Sequence, residues 1–446
     1  MQQTALFGTS GIRGDGEKLF TPQFCFDLGR AFVIFLSKHN VTGAIAIGMD
    51  PRGTSPNITK YLISGVISEG REVFDEGATS VPSINHIVNI SEAICASIMV
   101  SGSHIQPHLN GVKFFAFEEE ILKAHESEIT EIYYEIKDSK IFIPPPDAER
   151  HIESRAKEEY QNYLISHSMK NYPKWKVVVD AGDGAQSDTM PQVLKLLDLD
   201  VVEMNTTIQG VFYSRDTEVF GDYNDLQEMV VKEKADLGIG YDSDGDRCIF
   251  VDERGEFIPG DYTGTILAKE AQGDVIVTTI ATSQIIDKIG KTVIRTKIGS
   301  PYVVEEMKNN NALFGFEPNG GSIFNEMHSR DGGRTTIEIL NILVKSEMRL
   351  SQLIDTLPKY YISKTKLEYS WDQKEEILRK CESAFESSKV EKLDGIKIWL
   401  DESTWILFRS SMNAPEFRIF TESPSKKKSE ELLAKGVQIV KEIISK

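Results

Sequence analysis

Short apolar runs alternate along the chain with stretches in which apolar residues recur at helical spacing. The first such runs are "GAIAIGMD", "REVFDEG" and "ICASIMV", and they are separated by the helical patterns "NITKYLISGVISEG" and "VPSINHIVNISEA". Apolar runs of about four to eight residues that alternate with helices are typical of parallel strands buried between helices. The pattern therefore predicts an α/β domain at the start of the chain.

The same order of strand and helix patterns occurs three times. The second copy has strands at "KVVVDAGD", "DVVEMN" and "DLGIGY", and the third has strands at "DVIVTTI", "KTVIRTKIG" and "ALFGF". The copies end in the polar loops "SGSH", "DSDGDR" and "EPNGG", respectively. Ligands of such sheets collect beyond the carboxyl ends of the strands, so we expect the three loops to share one cleft.

The pattern changes after about residue 365 to a helix, three strands and a final helix. The strands are "GIKIWL", "WILFRS" and "FRIFTE", and the polar loop "RSSMNAPEFR" joins the last two. The sequence thus predicts three similar α/β domains with mixed, mostly parallel sheets and a smaller C-terminal α+β domain around a central cleft. The expected boundaries are residues 1–147, 148–254, 255–364 and 365–446.

Composition limits the partners that the protein can have. Among 446 residues, 50 Lys and Arg stand against 68 Asp and Glu, which gives a net charge of −18 and argues against a general nucleic-acid binder. The four cysteines have no paired spacing that would indicate zinc or a disulfide framework. No run approaches the roughly 18 apolar residues of a membrane span, and the first residues lack the core of a signal peptide. We therefore expect a cytoplasmic protein with neither a nucleic-acid nor a membrane partner.

The loop "YDSDGDR" places Asp242, Asp244 and Asp246 at alternate positions directly after a strand. Three carboxylates so close repel one another unless a cation lies among them, and oxygen-only ligands suit Mg²⁺. An EF-hand is the competing interpretation, because Glu253 is the twelfth residue from Asp242. We reject it because Arg247 takes the place of the glycine that an EF-hand needs and because the flanking residues predict strands.

Other loops carry side chains suited to a phosphorylated sugar. Arg247 either offsets the charge of the aspartates or holds a substrate oxygen or phosphate. Glu317 and Asn319 combine an acceptor with an amide beside glycines, a set that suits neighbouring sugar hydroxyls. Guanidinium, hydroxyl and amide groups in two further loops predict cradles for an anion. These groups are Arg409, Ser411, Asn413 and Arg418 near the end of the chain and Thr9, Ser10 and Arg13 near its start.

Together these motifs resemble those of the α-D-phosphohexomutases, the family of phosphomannomutases, phosphoglucomutases and phosphoglucosamine mutases. "FGTSGIRG" is similar to the family's opening, "SGSH…NGVKFF" to its phosphoserine loop, "DSDGDR" to its metal loop, "EPNGG" to its sugar loop and "RSS" to its phosphate loop. Their order and spacing agree over essentially the whole chain. The form of the sugar loop is most similar to archaeal-type members.

The resemblance implies an isomerase that interconverts hexose 1-phosphate and hexose 6-phosphate, with mannose or glucose phosphates as substrates. It implies that Ser103 carries a phosphoryl group and joins the three aspartates as a ligand of Mg²⁺. Arg13 and Lys113 resemble the family's positive pair, and one of them, or His104, would take the hydroxyl proton. A hexose 1,6-bisphosphate is the implied activator, and we expect a monomer or homodimer.

Three alternatives remain at this point. One is a phosphoglucosamine mutase. Another is a paralogue that binds sugar phosphates with weak turnover, since "HIQP" after Ser103 and "MNAP" around Asn413 depart from the family pattern at residues 104–107 and 412–415. The third is a haloacid-dehalogenase-type phosphatase with Asp242 as nucleophile. That family's motif normally lies near the N-terminus and lacks an aspartate after the glycine, so we disfavour it.

Overall fold

The computed structural model describes residues 6–8, 10–140, 142, 150–153, 155–208, 213–411 and 415–444. Four β-sheets follow one another along the chain, and we call the units built around them the first to fourth domains. The first three sheets mix parallel and antiparallel pairs, and the fourth is antiparallel throughout. The predicted fold class, three α/β units followed by an α+β unit, is confirmed.

The first sheet has seven strands, and both of its faces are covered by helices. The elements are β1 (Ile12–Asp15), α1 (Pro22–Lys38), β2 (Ala44–Met49), α2 (Ser55–Ser68), β3 (Val73–Ala78), α3 (Val81–Ile90), β4 (Ile94–Val100), β5 (Leu109–Ala116), β6 (Glu119–Glu120), α4 (Lys123–Ile136) and β7 (His151–Ile152). The order is β1-β5-β4-β2-β3-β7, with β6 beside β5. Ile45 and Ile47 belong to the cluster with α1 and α2, whereas Ala46 packs with α3. Burial on both faces explains why β2 is apolar at successive positions.

The second sheet has the order β12-β11-β10-β8-β9, in which β10, β8 and β9 are parallel. Its elements are α5 (Arg155–Ser166), β8 (Lys176–Asp180), α6 (Met190–Leu196), β9 (Asp200–Met204), α7 (Asn224–Glu233), β10 (Leu237–Tyr241), β11 (Cys248–Val251) and β12 (Phe257–Ile258). A short 3₁₀ helix, Phe220–Tyr223, precedes α7.

The third sheet has the order β14-β13-β15-β16, and its apolar residues share one core cluster with those of the second sheet. Its elements are α8 (Gly260–Glu270), β13 (Val275–Thr279), β14 (Thr292–Thr296), α9 (Ser300–Asn309), β15 (Phe314–Glu317), β16 (Gly321–Phe324), α10 (Gly332–Ser346) and α11 (Leu350–Asp355), with a 3₁₀ helix at Gln284–Lys288. The shared core holds the second and third domains together.

The fourth sheet has the order β17-β21-β20-β19-β18. Its elements are β17 (Tyr361–Glu368), a 3₁₀ helix (Trp371–Gln373), α12 (Lys374–Ser383), β18 (Lys389–Glu391), β19 (Ile396–Asp401), β20 (Thr404–Ser410), β21 (Glu416–Ser423) and α13 (Lys426–Ile444). This domain joins the third through an apolar cluster that includes Ile280, Trp405 and Leu407. Beside it, Glu422 accepts a hydrogen bond from the Trp405 Nε1–H at 2.6 Å.

The three predicted polar loops turn between an inner strand and an antiparallel neighbour. "SGSH" follows β4 and leads to β5, "DSDGDR" joins β10 to β11, and "PNG" joins β15 to β16. Each loop is therefore fixed at both ends by a strand, at the carboxyl edge of the parallel part of its sheet. Within the described ranges, every helix is too short or too polar to cross a bilayer.

Candidate active site

Ser103 lies in the loop after β4, and its side chain faces the loop of the second domain. Its hydroxyl donates a hydrogen bond to Asp242 Oδ2 at 2.8 Å. The residue is fully buried, and its φ of 53° falls in the left-handed region that L-residues with side chains avoid. Such a conformation costs roughly 1 to 3 kcal/mol. The surrounding contacts must therefore hold Ser103 in place.

A buried hydrogen-bonded network provides that support. Arg52 donates to the Ser103 carbonyl at 2.7 Å and to the Leu109 carbonyl at 2.6 Å. Asp50 accepts from Arg52 Nε at 2.9 Å and from Ser101 Oγ at 2.8 Å. The Ser101 hydroxyl oxygen in turn accepts the Ser103 backbone N–H at 2.8 Å. The network thus fixes both backbone polar groups of Ser103. Sequence analysis missed it, although "MDPRG" places charged residues directly after β2, as "DSDGDR" does after β10.

We expect Arg52→Met to lower the free energy of unfolding by about 3 to 5 kcal/mol, because the variant leaves the Asp50 carboxylate buried without its cation. Urea unfolding, with hydrogen exchange of the β4 and β5 peptides, measures the change. Arg155→Met is the control, since Arg155 pairs with Glu159 on α5 at 3.8 Å and both side chains are exposed to solvent, by 52% and 36%. Its loss should be about 1 kcal/mol or less. Equal losses in the two variants would contradict the supporting role of Arg52.

The three aspartates of the second loop form a group that could hold a metal ion. One oxygen from each of Asp242, Asp244 and Asp246 lies within 4.8 Å of the others, and all three side chains are buried. Oδ1 of Asp244 and Oδ1 of Asp246 are buried without a hydrogen-bond partner among the described residues. Burial raises the pKa of Asp242 well above its usual range, and the two neighbouring carboxylates add to this effect. Partnerless carboxylate oxygens are costly in the interior, so the set fits a hard divalent cation.

Two positive groups lie beside Ser103 and the aspartates. Lys113 Nζ is 2.7 Å from Asp244 Oδ2 and 2.8 Å from Asp246 Oδ2, and its side chain is 1% exposed. Burial alone would lower the pKa of Lys113, but the two carboxylates raise it. Arg13 donates to the Gly102 carbonyl at 2.6 Å, and burial lowers its pKa to about 10. Positive charge is therefore concentrated around the Ser103 loop.

His104 lies between Ser103 and Arg247. Its Nδ1 is 3.3 Å from Ser103 Oγ and 3.1 Å from Arg247 NH1. Because a guanidinium only donates, Nδ1 accepts from Arg247 and the ring proton lies on Nε2. Burial, together with the positive charges of Arg247 and Arg13, holds the pKa of His104 well below its usual range. The imidazole is therefore neutral.

The sugar loop connects to the metal loop through an arginine that the sequence analysis did not identify. Arg330 NH1 lies 3.2 Å from Glu317 Oε2, and its NH2 lies 2.8 Å from Asp246 Oδ2. Asn319 is also buried; its Oδ1 accepts the backbone N–H of Gly321 at 3.0 Å. Arg330 thus links Glu317 to Asp246, and the Asn319 side chain makes its hydrogen bond within its own loop.

The polar loop "RSSMNAPEFR" joins β20 to β21, and we call it the fourth loop. Two arginines, one on each of these strands, flank it. Arg409 donates from Nε to Asp394 Oδ2 at 2.7 Å, and its NH2 is buried with no hydrogen-bond partner in the described part of the chain. Arg418, opposite Arg409 in the β20–β21 register, donates to Glu416 Oε2 at 3.3 Å. Both arginines thus pair with carboxylates of their own domain. The backbone N–H of Ser411 donates to the Glu416 carbonyl at 2.8 Å.

The opening motif is divided between two roles. Arg13 joins the Ser103 loop, whereas the Ser10 hydroxyl donates to Glu120 Oε1 at 2.5 Å. The second carboxylate oxygen of Glu120 accepts from Ser300 Oγ at 2.9 Å, so this contact links the first and third domains. Thr9 and Asn413, two predicted substrate-binding residues, lie outside the described residues.

Comparison with known families agrees with this geometry. Family models of phosphoglucomutase/phosphomannomutase alpha/beta/alpha domains I, II and III match residues 4–140, 149–255 and 259–361. A phosphoglucomutase/phosphomannomutase of Thermococcus kodakarensis is 35% identical over 98% of this chain and 99% of its own. The chain belongs to the α-D-phosphohexomutase family. It is therefore an isomerase of the intramolecular phosphotransferase type, and the predicted family is confirmed.

Other members of the phosphohexomutase family resemble the chain over its full length. A phosphoglucosamine/phosphogalactosamine mutase of Sulfurisphaera tokodaii is 30% identical over 98% of this chain and 99% of its own. A solved structure of a putative phosphomannomutase from Thermus thermophilus has a TM-score of 0.84 at 20% identity, covering 99% of this chain and 100% of that one. A family protein from Burkholderia thailandensis gives 0.83 at 21% identity, covering 98% of each chain. These two structures support the fold.

Proposed function

We propose that this phosphohexomutase interconverts the 1-phosphate and 6-phosphate of mannose or glucose through a phosphorylated Ser103. The observation that carries the proposal is the 2.8 Å contact of Ser103 Oγ with Asp242, within a buried group of three aspartates. Lys113 lies against the other two aspartates. A nucleophile, a metal-type carboxylate set and a buried cation in one contact network are what phosphoryl transfer requires.

The residues that would hold Mg²⁺ are Asp242, Asp244 and Asp246, together with an oxygen on Ser103. When bound, the cation withdraws charge from the transferring phosphoryl group. Lys113 and Arg13 would place further positive charge beside the Ser103 loop. The burial of Lys113 and the partial burial of Arg13 limit the screening of this charge by water.

In the proposed transfer, the free hydroxyl oxygen of the hexose monophosphate bonds to the phosphorus as the bond to Ser103 Oγ breaks. Arg13, Lys113 and His104 are the candidates for the acid–base group, but Arg13 and Lys113 are already protonated. The neutral His104 is therefore the one that can take the proton of the sugar hydroxyl, and a proton returns to Ser103 Oγ. The bisphosphate then turns in the cleft and returns its other phosphoryl group to Ser103. Each transfer balances: the sugar oxygen loses a proton and gains the phosphoryl group, while Ser103 Oγ loses the phosphoryl group and gains a proton.

The remaining residues would bind the sugar phosphate. Glu317 and Asn319 are proposed to accept and donate hydrogen bonds to sugar hydroxyls. The phosphate that does not react would be held by the fourth loop, where Arg409 NH2 is buried without a partner in the residues described. The other proposed phosphate ligands are Thr9, Ser10, Arg247, Ser411, Asn413 and Arg418.

We expect Arg409→Ala to raise the KM for the hexose monophosphate about tenfold or more, because a charge-assisted contact is worth roughly 1.5 to 3 kcal/mol. Initial rates over a range of substrate concentrations measure the effect. Arg379→Ala, an exposed change on α12 of the same domain, should leave the KM unchanged. An unchanged KM in Arg409→Ala would remove the fourth loop from the substrate site.

A second candidate function is that of a phosphoglucosamine mutase. It is favoured by relatives of that name, such as the probable phosphoglucosamine mutase of Methanocella arvoryzae, 31% identical over 99% of both chains. Incubation with mannose, glucose and glucosamine 1-phosphates, each followed by phosphorus NMR, tests both functions. The preferred substrate gives a 6-phosphate signal first. A protein that converts none of them, even with Mg²⁺ and a bisphosphate primer, contradicts both.

Several further properties belong to this proposal. We expect a hexose 1,6-bisphosphate to activate the protein by phosphorylating Ser103. We also propose a monomer or homodimer in the cytoplasm, with domain boundaries near residues 147, 254 and 364. The family matches that end at 140, 255 and 361 support these boundaries. Light scattering on the purified chain tests the oligomeric state.

A further inference from the structure

One short segment of the second domain contacts all three other domains. Ser214 Oγ lies 2.7 Å from the carbonyl oxygen of His104, in the phosphoserine loop of the first domain. Thr217 Oγ1 donates to the Asn319 carbonyl at 2.6 Å, in the sugar loop of the third domain. Glu218 Oε1 pairs with Lys364 Nζ, on β17 of the fourth domain, at 2.8 Å. We call residues 214–218 the bridging segment.

The bridging segment is held firmly by its own domain. Arg215, which is 7% exposed, donates to Asp180 Oδ2 at 2.8 Å, at the end of β8. The backbone N–H of Asp216 donates to Asp222 at 2.9 Å, and that of Glu218 donates to Asp216 at 3.0 Å. The second domain therefore holds the backbone around Glu218 in place.

Glu218 lies close to the positive groups of the cleft. Burial alone would raise the pKa of Glu218, but Lys364, Arg247 and Arg418 lower it to about 2. Arg247 ends the metal loop, and Arg418 belongs to the fourth loop. Glu218 is therefore ionised, and its ion pair with Lys364 joins the second and fourth domains.

Lys364 is linked to the fourth loop through the pairing of β17 with β21. It lies on β17, which pairs with β21 along its whole length; two residues further, Lys366 is opposite Arg418. A displacement of β17 therefore displaces Arg418. On its other side the fourth domain is anchored to the third by the Trp405 cluster and the buried Glu422. The Glu218–Lys364 pair is thus a separate, partly exposed contact of the fourth domain, with side chains 28% and 37% exposed.

We propose that Glu218 and Lys364 are positioning residues for the mutase reaction, whose ion pair fixes the fourth domain and its phosphate-binding loop at the working distance from Ser103. This inference rests on the proposed function. Partly exposed ion pairs are weak, typically below about 1 kcal/mol, so the contact can break to admit substrate and form again. The bridging segment then holds the phosphoserine loop, the sugar loop and the fourth domain in fixed positions relative to one another.

The fourth domain offers a control ion pair outside the fourth loop. Lys428 Nζ makes an ion pair of the same length, 2.8 Å, with Asp401, and both side chains are partly exposed, by 51% and 44%. Lys364→Met and Glu218→Gln should each raise the KM for the hexose monophosphate about two- to fivefold, with a smaller change in kcat. Lys428→Met should leave both constants within error of the unmodified protein. Because one contact is lost in each case, the double variant should be no worse than either single variant.

Small-angle scattering adds a readout that does not depend on turnover. The radius of gyration of Lys364→Met should exceed that of Lys428→Met, and saturating glucose 1-phosphate should reduce the difference. Equal radii, or independent effects that add in the double variant, would overturn the positioning role. If the unmodified protein converts no hexose phosphate, the proposed function fails, and the comparison of radii still decides whether the ion pair holds the domains.

Discussion

Ser103→Ala is expected to lower turnover by several orders of magnitude while the protein stays folded and still binds its substrate. The hydroxyl is the group proposed to carry the phosphoryl between the two ends of the sugar, and no other residue can replace a missing covalent acceptor. Removing one Oγ atom from a loop held by Arg52 and Ser101 leaves the backbone contacts in place. The loss should therefore appear in kcat, and binding measured by calorimetry should change little.

A buried serine on the preceding strand provides the control. Ser97 lies on β4, is fully buried, and its Oγ has no hydrogen-bond partner among the residues described. Ser97→Ala should therefore keep normal turnover. Intact-mass spectrometry and peptide mapping should find one phosphate on the peptide "GSHIQPHLNGVK", and glucose 1,6-bisphosphate should restore it after dephosphorylation. A phosphate found only on another residue, or normal turnover in Ser103→Ala, would end the proposed mechanism.

Neither Ser101 nor Ser10 is suited to that role in the structure. The Ser101 hydroxyl donates to Asp50 and accepts the N–H of Ser103, so its oxygen is already engaged. The Ser10 hydroxyl is bonded to Glu120. Ser103 is the one serine of these three whose hydroxyl reaches an aspartate of the metal-type group.

The sequence predicts the parallel strands well because burial on both faces makes them continuously apolar. It does not separate the antiparallel strands β5, β11 and β16 from the loops before them, since each begins directly where a polar loop ends. The edge strand β17, "YISKTKLE", was also missed, because its charged and half-exposed positions lack the apolar signal. These strands matter for the site, because they fix the second end of each loop.

The candidate site residues at the ends of the inner strands can be proposed from the sequence, whereas the residues that support them cannot. Asp242, Asp244 and Asp246 are neighbours in the sequence, at alternate positions of one loop, and they also lie together in the fold. Arg52 and Arg330, in contrast, act across the fold: Arg52 reaches Ser103 over 51 positions, and Arg330 lies between two domains. Periodicity carries no information on such contacts. Only the packed structure brings these side chains together.

Asp244→Asn is expected to abolish most of the turnover and to weaken divalent cation binding. The change removes one of three carboxylates whose buried oxygens converge, and it removes the charge that Lys113 faces at 2.7 Å. An amide has about the same volume, so the fold should survive and the loss should be electrostatic. Mn²⁺ binding followed by electron paramagnetic resonance, on dephosphorylated protein, reports the site without relying on turnover.

The control for this experiment is Asp200→Asn, a change on β9 of the same domain where the side chain is 66% exposed and its lysine partner is 4.0 Å away. It should alter neither Mn²⁺ binding nor turnover, because solvent screens an exposed pair.

A second variant, Lys113→Met, separates the two contributions of Asp244. It removes the lysine ammonium but leaves three carboxylates, so we expect Mn²⁺ to bind at least as tightly while turnover falls. Full activity after exhaustive chelation, or unchanged Mn²⁺ affinity in Asp244→Asn, would mean that the aspartates serve only to hold Lys113 in the folded protein.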